Sequence, residues 1–472
     1  MKYSFSITRL PFALLLLLTL HSCKENPMRS IEPSSSVSLS VISVLSNEVW
    51  LKLSFADSLE QPRDFRILRN DSILIRGSLF SKDTLIADRA FSSPIFQDGT
   101  SIRPNRDYTF SAVRLNEQTG VILDSSKTLR TRTLDTTSHD YTWTTTALGE
   151  GSSILRDVAI VSDTCAYVVG QMFFRDSTGQ INRDKPFCFA TWDGRQWRTS
   201  QLRISDGTNT SIVPEFRGIF AFSPTDVWVA AVGVWRVNPT TGQTQSFNEL
   251  LRFNPAFILS PEQSIEKLWG TAPNNIYGVG LKGAIVHYNG QRWQRMESGT
   301  TIDLRDIYGT PDGKEVWAVG HEGALPFGVV LRLENGRWVK KFDTSFPNYP
   351  DAEFAQAIWM DNHRAIFSNS RAVWQSLVYP INKFPGAYLD DNNFINNIRS
   401  LRGSAHNDIT AVGDFSSIWH WNGYNWRFYS QLQRENDLYL DVAVTSRVIV
   451  SVGIRRLPSF RSEGLITIGR KP

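Results

Sequence analysis

An internal repeat of about 47 residues constrains the fold of this 472-residue chain more than any other feature. The clearest unit runs from Leu268 to Trp293 and contains a strand that ends in Val279-Gly280 and an Asn-Gly turn. Seven such units follow one another, and they begin near Val158, Ile219, Leu268, Ile307, Ile358, Leu401 and Val442. Of the 15 tryptophans, 14 follow residue 140 and only Trp50 precedes it, so the excess of large aromatic residues belongs to the repeat region.

Each unit contains four strand-like segments, which predicts a β-propeller with one four-stranded blade per unit. The residue types suit such a blade. Val-x-Gly at the end of the second strand lets neighbouring backbones approach closely, and Asn-Gly favours a type I′ turn between the third and fourth strands. The tryptophan that follows offers a large flat surface to the adjacent blade. We therefore interpret the repeated residues as the core of an all-β fold and not as a ligand site.

The seventh unit is one strand short. Strand-like segments occur at 440–444, 448–453 and 465–468, and no tryptophan-containing strand follows them. Residues 141–146, which precede the first unit, form an additional strand that includes Trp143. We predict that this N-terminal strand completes the last blade, so that a seven-bladed propeller over residues 141–472 closes on itself.

The repeat resembles those of bacterial propellers with Trp-Gly and Asn-Gly-x-x-Trp motifs, which are loosely akin to kelch, sialidase-repeat and photosystem-assembly-factor propellers. The resemblance covers about 330 residues and implies the fold but not the function, since propellers include hydrolases, lyases, receptors and scaffolds. The sialidase motif itself is absent here, because Asp193 and Gly194 are adjacent where that motif separates them by one residue.

Residues 37–134 form a separate segment rich in β-strand patterns. Seven short alternating strands without a helical pattern predict a β-sandwich. The segment resembles fibronectin type III modules: Trp50 matches the core tryptophan of the second strand, Tyr108 the tyrosine corner, and Ala112 a small residue on the same strand. The resemblance implies a spacer without a dedicated binding site.

The N-terminus has the pattern of an export signal. Its apolar run Leu10–Leu20 is shorter than the roughly 20 residues that a membrane-spanning helix needs. The sequence ending in Cys23 resembles a bacterial lipobox, and the charged residues after it resemble those of Bacteroidota lipoproteins. The resemblance implies a signal peptide over 1–22, lipidation of Cys23, a flexible tether over 23–36, and an outer-membrane location facing the periplasm or the cell surface. An ordinary cleaved signal is the alternative.

The composition argues against several classes of function. The chain has 50 basic and 46 acidic residues without a basic stripe, so we expect no nucleic-acid partner. Neither a Gly-x-Ser-x-Gly nor a His-Glu-x-x-His motif occurs, and the histidines recur with the repeat. We predict that the protein has no cofactor and no metal site, and we assign no catalytic residue. A hairpin that sets Cys188 opposite Gly170 argues against a disulfide with Cys165, although the compartment would allow one.

Four arginines share one position of the repeat. The residue two before the first-strand apolar position is Arg156, Arg217, Glu266, Arg305, Gln356, Arg399 or Leu440 in the seven units. In a propeller these positions lie near the mouth of the central channel. The four arginines are therefore candidates for an anion-attracting ring, because guanidinium binds carboxylate or sulfate in a bidentate way. The alternative is that Arg156 and Arg305, each followed by an aspartate, form ion pairs between blades.

Two long loops supply a second candidate site. Residues 171–185 contain Phe173, and residues 234–247 contain Trp235 and Arg236. Loops between second and third strands share the face with the channel mouth, so exposed aromatic residues there suggest a rim that binds a glycan or a protein. The alternative is that Phe173 and Trp235 only pack each loop onto its blade.

Together these patterns indicate a monomeric, lipid-anchored envelope protein that binds or scaffolds a glycan or a partner envelope protein. The alternative is a polysaccharide hydrolase or lyase that uses the channel mouth. Such an enzyme would need acids that converge there, and the sequence offers Asp157, Asp306 and Asp441. A binding protein is favoured because no catalytic motif accompanies them.

Overall fold

The fold is known from a computed structural model that describes most of the chain after residue 35. The described residues are 36–56, 63–79, 81–89, 102–116, 118–205, 211–251, 254, 256–322, 327–343, 355–361, 364–368, 373–377, 388–390, 397–458 and 461–472. The predicted signal peptide, the lipidation site Cys23 and all but the last residue of the predicted tether lie outside them. Within them, no helix is long and apolar enough to cross a membrane.

The N-terminal module is made of two antiparallel sheets. Its strands are β1 (Val37–Val44), β2 (Glu48–Phe55), β3 (Arg63–Arg69), β4 (Ser72–Leu79), β5 (Asp83–Arg89), β6 (Asp107–Leu115), β7 (Ile122–Ser125) and β8 (Leu129–Arg132). One sheet has the order β1-β2-β5, and the other has the order β4-β3-β6-β7 with β8 also paired to β6. Alternating apolar residues such as Leu51, Ile67 and Phe110 form the core between the sheets.

Of the three residues that carry the sequence resemblance of this module, Tyr108 and Trp50 differ in outcome. The Tyr108 hydroxyl accepts a hydrogen bond from the backbone N–H of Arg103 at 2.9 Å, which is the contact that a tyrosine corner makes. Trp50, however, is not part of the core cluster. Because side chains of a strand alternate between its faces, Val49 and Leu51 face the core and Trp50 faces the other way. The prediction of Trp50 as a core tryptophan was wrong.

The described residues from Thr142 onward form seven four-stranded antiparallel sheets, numbered here in chain order of their first strands. Sheet 1 contains β10 (Glu150–Ser162), β11 (Cys165–Phe173), β12 (Phe187–Trp192) and β13 (Trp197–Ser200), and a small hairpin of β14 (Ile204–Ser205) and β15 (Ser211–Ile212) follows it. Sheet 2 contains β16 (Gly218–Ser223), β17 (Asp226–Ala230), β18 (Val234–Asn238) and β19 (Gln243–Ser246). Sheet 3 contains β20 (Ile265–Ala272), β21 (Asn275–Gly280), β22 (Ile285–Tyr288) and β23 (Trp293–Arg295).

The remaining sheets repeat this pattern. Sheet 4 contains β24 (Leu304–Gly309), β25 (Val316–Glu322), β26 (Phe327–Glu334) and β27 (Arg337–Asp343). Sheet 5 contains β28 (Ala357–Met360), β29 (Arg364–Ser368), β30 (Val373–Leu377) and β31 (Tyr388–Asp390). Sheet 6 contains β32 (Ile398–Ala405), β33 (Asp408–Gly413), β34 (Ile418–Trp421) and β35 (Trp426–Phe428). Among the described residues, three single-turn 3-10 helices lie between strands: Asn248–Leu250, Leu281–Gly283 and Ser430–Leu432.

Sheet 7 joins the two ends of this region. Its strands are β36 (Asp437–Val444), β37 (Val448–Leu457), β38 (Arg461–Arg470) and β9 (Thr142–Leu148). Strand β9 pairs with β38 over its whole length, with Thr144 opposite Ile468. The predicted pairing of the N-terminal strand with the last unit is therefore confirmed.

The sheets are arranged in a ring. The first strand of each sheet contacts the first strand of the next, and β36 of sheet 7 contacts β10 of sheet 1. A separate apolar cluster fills each gap between neighbouring sheets, and these clusters include the tryptophans Trp228, Trp269, Trp293, Trp317, Trp338, Trp359 and Trp419. The arrangement fits a β-propeller, and it explains the tryptophan content as packing between sheets.

The glycine that ends the second strand is required by close backbone contact. A Cβ atom on Gly280 would lie 1.9 Å from the carbonyl oxygen of Ser264, and one on Gly320 would lie 2.1 Å from that of Asp303. Gly413 and Gly453 meet the equivalent carbonyl groups of sheets 6 and 7. The reason that the sequence suggests for the Val-x-Gly motif is therefore confirmed.

The module contacts the ring through a buried ion pair. Glu48 of β2 pairs with Arg364 of β29, and both side chains are almost completely buried. The Trp50 indole Nε1 donates to Glu48 at 2.9 Å, and the Arg364 guanidinium lies 5.9 Å from the centre of the Trp50 ring. Trp50 thus faces the ring, which explains its position outside the module core.

A second contact fixes where on the ring the module lies. The Ser46 hydroxyl donates to the carbonyl oxygen of Gly423, and the Thr137 hydroxyl donates to that of Asn407 at 2.6 Å. Asn407 belongs to the turn after β32, at the opposite end of that strand from Arg399. The module therefore docks at the end of the ring that is remote from the predicted arginine positions.

Candidate functional site

The structure brings the seven equivalent repeat positions together around one cavity at the axis of the ring. This cavity has a volume of about 320 Å³, and its lining includes Arg156, Arg217, Glu266, Arg305, Gln356, Arg399 and Leu440. We call it the arginine cavity. The convergence follows from the ring, because the first strands of all seven sheets start at the same end of the axis.

A bulge that recurs in the first strands lets two successive residues face the cavity. The pairing of the first with the second strand shifts register between Leu155 and Asp157, and likewise between Leu304 and Asp306. The same shift occurs in sheets 3, 6 and 7. Such a bulge cancels the alternation of a regular strand. An arginine and the aspartate after it can therefore both face the axis.

Each of the four candidate arginines is already paired with a carboxylate. The ion pairs are Arg156–Glu215 (2.6 Å), Arg217–Glu266 (3.1 Å), Arg305–Asp303 (3.1 Å) and Arg399–Asp414. The first two pairs connect neighbouring sheets, and the last two lie within a sheet. The alternative of ion pairs between blades therefore fits Arg156, whereas Arg305 pairs with Asp303, two residues before it in the chain. The rim of the cavity is consequently close to neutral in charge.

The aspartates form a buried network deeper along the axis. The Lys267 ammonium lies 2.7 Å from Asp157 and 2.9 Å from Asp441. The Ser400 hydroxyl donates to Asp441 at 2.6 Å, and the backbone N–H of Ile219 donates to Asp157 at 2.8 Å. Because Lys267 belongs to sheet 3 while the two aspartates belong to sheets 1 and 7, this network ties three sheets together across the axis.

A second ion pair completes this network. Both terminal nitrogens of the Arg402 guanidinium donate to Asp306 at 2.8 Å, which is a bidentate contact. The backbone N–H of Ile358 also donates to Asp306, at 2.9 Å. We call these five charged residues the ionic lattice: Asp157, Asp306, Asp441, Lys267 and Arg402.

Burial and pairing shift the ionisation of the lattice residues. Burial raises the pKa of Asp157 well above its usual value, and Lys267 offsets only part of this effect. Burial has the same tendency at Asp441, but the charges of Lys267 and Arg402 and the hydrogen bonds from Asp157 and Ser400 together outweigh it and hold the pKa of Asp441 below its usual value. Burial also acts against the ammonium of Lys267, yet the two carboxylates raise its pKa overall. Lys267 therefore stays charged.

The lattice separates the arginine cavity from a second cavity of about 160 Å³ at the module end of the axis. Lys267 lines both cavities. The remaining walls of the second cavity are mainly apolar and include Phe220, Trp269 and Tyr308. We call it the apolar cavity.

The predicted aromatic rim was wrong. Trp235 is fully buried in β18, where its ring centre lies 6.0 Å from that of Phe216, and Phe173 is buried at the end of β11. Arg236 pairs with Asp226 at 2.7 Å. The error arose because residues 234–247 are the third and fourth strands of sheet 2, not a loop before them. Trp235 therefore has the packing role that the alternative gave it.

The structure shows another aromatic residue on that end of the ring. Phe415, in the turn between β33 and β34, is 41% exposed, and it follows Asp414, which pairs with Arg399. Its backbone φ of +60° and the +48° of Ser416 lie in the left-handed region, which costs about 1–2 kcal/mol for a residue with a side chain. A comparison of the loops between second and third strands of the repeats could have identified this residue.

Two other sequence expectations concern ligating groups. Cys165 and Cys188 are both free thiols, and burial raises the pKa of Cys188 to about 12. Among the described residues, no group of three or more His, Cys, Asp or Glu side chains could hold a metal ion.

These features define an all-β protein whose sheets are arranged as in a β-propeller, with a charged cavity at one end of the axis. No family model matches the chain. One relative, Immune protein Tsi7 of Pseudomonas aeruginosa, is 32% identical over 105 residues, which is 22% of this chain and 32% of that protein. The chain therefore spans only about a third of that protein's length.

Two solved structures of YCF48 are similar in part. YCF48 bound to D1 peptide gives a TM-score of 0.48 at 12% identity, over 72% of this chain and 100% of that one. YCF48 from Cyanidioschyzon merolae gives 0.46 at 13% identity, over 70% and 99%. The ring of sheets follows from the strand pairing and the contacts between first strands in this chain.

Proposed function

We propose that this chain is a lipid-anchored cell-envelope protein that binds or scaffolds a partner and has no catalytic role. In this proposal the seven sheets are a seven-bladed β-propeller, and the N-terminal module is a fibronectin type III-like spacer between the propeller and an outer-membrane anchor at Cys23. The module docks opposite the arginine cavity. The cavity end of the propeller is then directed away from the membrane, toward a glycan or a partner envelope protein.

The observation that carries the proposal is the pairing of the three axial aspartates. A hydrolase or lyase needs acids that can exchange protons with a substrate. Asp157 and Asp441 share Lys267, and Asp306 is held by Arg402. The same residues tie sheets together, so they have a structural role. A polysaccharide-active enzyme remains the second candidate, supported only by the position of these acids near the cavity.

The chemistry of the rim favours a ligand without a large net charge. Each arginine of the rim is balanced by a carboxylate, so a polyanion would meet as many acids as bases. The exposed ring of Phe415 offers a surface for stacking against a sugar ring or an apolar peptide side chain. A glycan or a protein segment fits this combination of paired charges and one exposed aromatic side chain.

The test is a glycan array together with a pull-down from envelope extract, both with the chain from residue 24 onward, which lacks the proposed lipidation site. The whole chain is needed because the contact between Glu48 and Arg364 is buried. We expect a ligand whose affinity falls about tenfold in Phe415→Ala, the size of an ordinary interface hot spot. The matched control is Tyr424→Ala, which removes an equally exposed aromatic ring from the module end.

The outcomes separate the two candidate functions. If both variants bind the ligand equally well, the cavity end of the ring is not the binding surface. If the parent protein hydrolyses or cleaves any polysaccharide, and Asp306→Asn loses this activity while its circular dichroism shows an intact fold, the protein is an enzyme and the proposed binding role is wrong.

A further inference from the structure

The hairpin between β6 and β7 carries three consecutive aliphatic residues that face solvent. Val121, Ile122 and Leu123 are 59%, 58% and 51% exposed. Consecutive residues of a strand packed on a core alternate between its two faces, so three exposed neighbours mean that the hairpin tip extends beyond the core. Residues 118–123 include no charge. We propose that this tip is a membrane contact that inserts its aliphatic side chains into the interfacial region of a lipid bilayer.

The backbone of the tip is suited to a medium with little water. Asn116 Oδ1 accepts hydrogen bonds from the backbone N–H groups of Gln118 and Thr119, both at 3.0 Å. The N–H of Gly120 donates to the Asn116 carbonyl at 2.8 Å, and the N–H of Asn116 donates to the Val121 carbonyl at 2.9 Å. Unpaired N–H groups are costly to move from water into lipid, and these four are already paired within the turn.

The N-terminal end of the module lies beside the same hairpin. The Ser36 hydroxyl donates to Asp124, the residue after Leu123, at 2.7 Å. Arg114 donates to the Ser36 hydroxyl at 3.3 Å. The chain that leads to Ser36 therefore enters the module next to the exposed tip.

The position of this entry point favours a lipid surface as the occupant, and this step rests on the proposed anchor at Cys23. The 12 residues between Cys23 and Ser36 span about 40 Å when extended and roughly 20 Å as a flexible coil. An anchored chain would thus hold the tip within reach of the bilayer. The exposed side chain of Lys127 follows four residues after Leu123, just beyond the end of β7, and a cation behind an aliphatic tip matches anionic headgroups above acyl chains.

The first experiment measures insertion directly in the full acylated chain. A single environment-sensitive NBD probe is attached to Ile122→Cys in a Cys165→Ser background and read on vesicles of phosphatidylethanolamine and phosphatidylglycerol. We expect a blue shift of the probe emission and quenching by lipids that carry a nitroxide on the acyl chain. The matched control is a probe on Phe415→Cys, at the far end of the ring, which should stay unshifted and unquenched. If the probe at position 122 keeps the emission of a water-exposed NBD group while the chain is bound to vesicles, the proposal is overturned.

The second experiment does not depend on acylation. The chain from residue 24 onward is titrated with the same vesicles, and the triple variant Val121→Ser, Ile122→Ser, Leu123→Ser should bind about tenfold more weakly. Ile73→Ser, which alters another exposed aliphatic residue of the module, should bind as the parent does. Equal thermal unfolding of all three proteins checks that each is folded. Unchanged binding by the triple variant would contradict a membrane contact.

The two experiments keep the anchor and the hairpin apart. Mass spectrometry that finds no lipid on Cys23 refutes the anchor, while the second experiment still tests the hairpin. A blue shift that appears without vesicles and grows with protein concentration would assign the tip to contacts between copies of the chain, and would overturn the proposal.

Discussion

The two ends of the ring have opposite chemistry although first strands of the same sheets, six of the seven, line the cavities at both ends. At the arginine end the strands begin with charged residues, and the cavity there is lined by ion pairs. At the module end the same strands finish with apolar residues such as Ile160, Ala221 and Val444 around the apolar cavity. The ionic lattice lies between the two. A repeat can therefore define a charged end and an apolar end of one axis through the order of residues in a single strand.

The rim of the arginine cavity and the ionic lattice also differ in how their charges are held. At the rim, Arg305 and Arg399 are more than a third exposed, so water and salt weaken their ion pairs. In the lattice, Lys267 and Asp157 are 12% and 1% exposed. A set of paired buried charges adds little to the free energy of unfolding. Removal of one partner lowers that free energy strongly, because the other charge is left buried and unpaired. The comparison predicts that substitutions in the lattice lower the free energy of unfolding much more than substitutions at the rim.

The largest effect is expected in the lattice. Lys267→Met should lower the free energy of unfolding by about 3–5 kcal/mol, because it leaves Asp157 and Asp441 buried without a cation. Urea unfolding followed by tryptophan fluorescence measures it. Lys314→Met, which removes an 83% exposed lysine paired with Asp312, is the control and should have no measurable effect.

Removal of the two acids checks the cause of this effect. If uncompensated charge is the cause, the combination of Lys267→Met with Asp157→Asn and Asp441→Asn should recover part of the loss, since coupled residues are not additive. A loss below 1 kcal/mol in Lys267→Met, or no recovery in the combined variant, would contradict a tightly coupled lattice.

A smaller effect is expected from acid at the module end. Burial lowers the pKa of His420 and of His139, whose Nδ1 atoms lie 2.8 Å apart, and burial also lowers the pKa of His406. A lowered histidine pKa means that the folded state binds fewer protons than the unfolded state. Stability is then complete above the usual histidine pKa of 6.5 and is lost as the pH falls through the folded values.

Acidification from pH 7.5 to 5 should therefore reduce the free energy of unfolding by on the order of 1–2 kcal/mol. Asp157 acts with the opposite sign, because a raised carboxylate pKa favours the folded state as the pH falls. The pH slope of urea unfolding should be smaller in His420→Gln than in the parent, and larger in Asp157→Asn. A parent protein whose stability rises steadily with acid would show that the lattice outweighs the histidines.

The repeat made the architecture predictable because its constraints are local. The Val-x-Gly motif could be interpreted from sequence, since the contact of Gly280 with Ser264 arises within one sheet. The pairing of β9 with β38 followed from counting strands. Trp50 was not predictable, because alternation along β2 decides which face it occupies and the ring that it meets is more than 300 residues away in the chain.

The candidate site was predictable in position but not in contacts. The convergence of Arg156 and its equivalents followed from the ring, whereas their partners depend on bulges that no motif marks. The long segment with Trp235 was misinterpreted because the connection before β18 has only three residues, so the third strand began where a loop was expected. Lys267 and Arg402 were not predicted as site residues, because each occurs in one repeat only and the prediction of the site depended on residues that recur.

The smallest effect is expected at the rim, where Arg305→Gln removes one member of an ion pair within a single strand. Arg305 is 38% exposed and its partner Asp303 17%, so the change should cost about 0.5 kcal/mol of unfolding free energy at low salt. In 1 M salt, where the screening length is about 3 Å, the difference between Arg305→Gln and the parent should shrink further. Arg402→Gln, in the lattice, should keep most of its larger cost in the same salt, because water and ions do not reach a buried bidentate pair. Urea unfolding of the two variants at both salt concentrations measures this contrast, and an equal salt response would mean that rim and lattice are not electrostatically distinct.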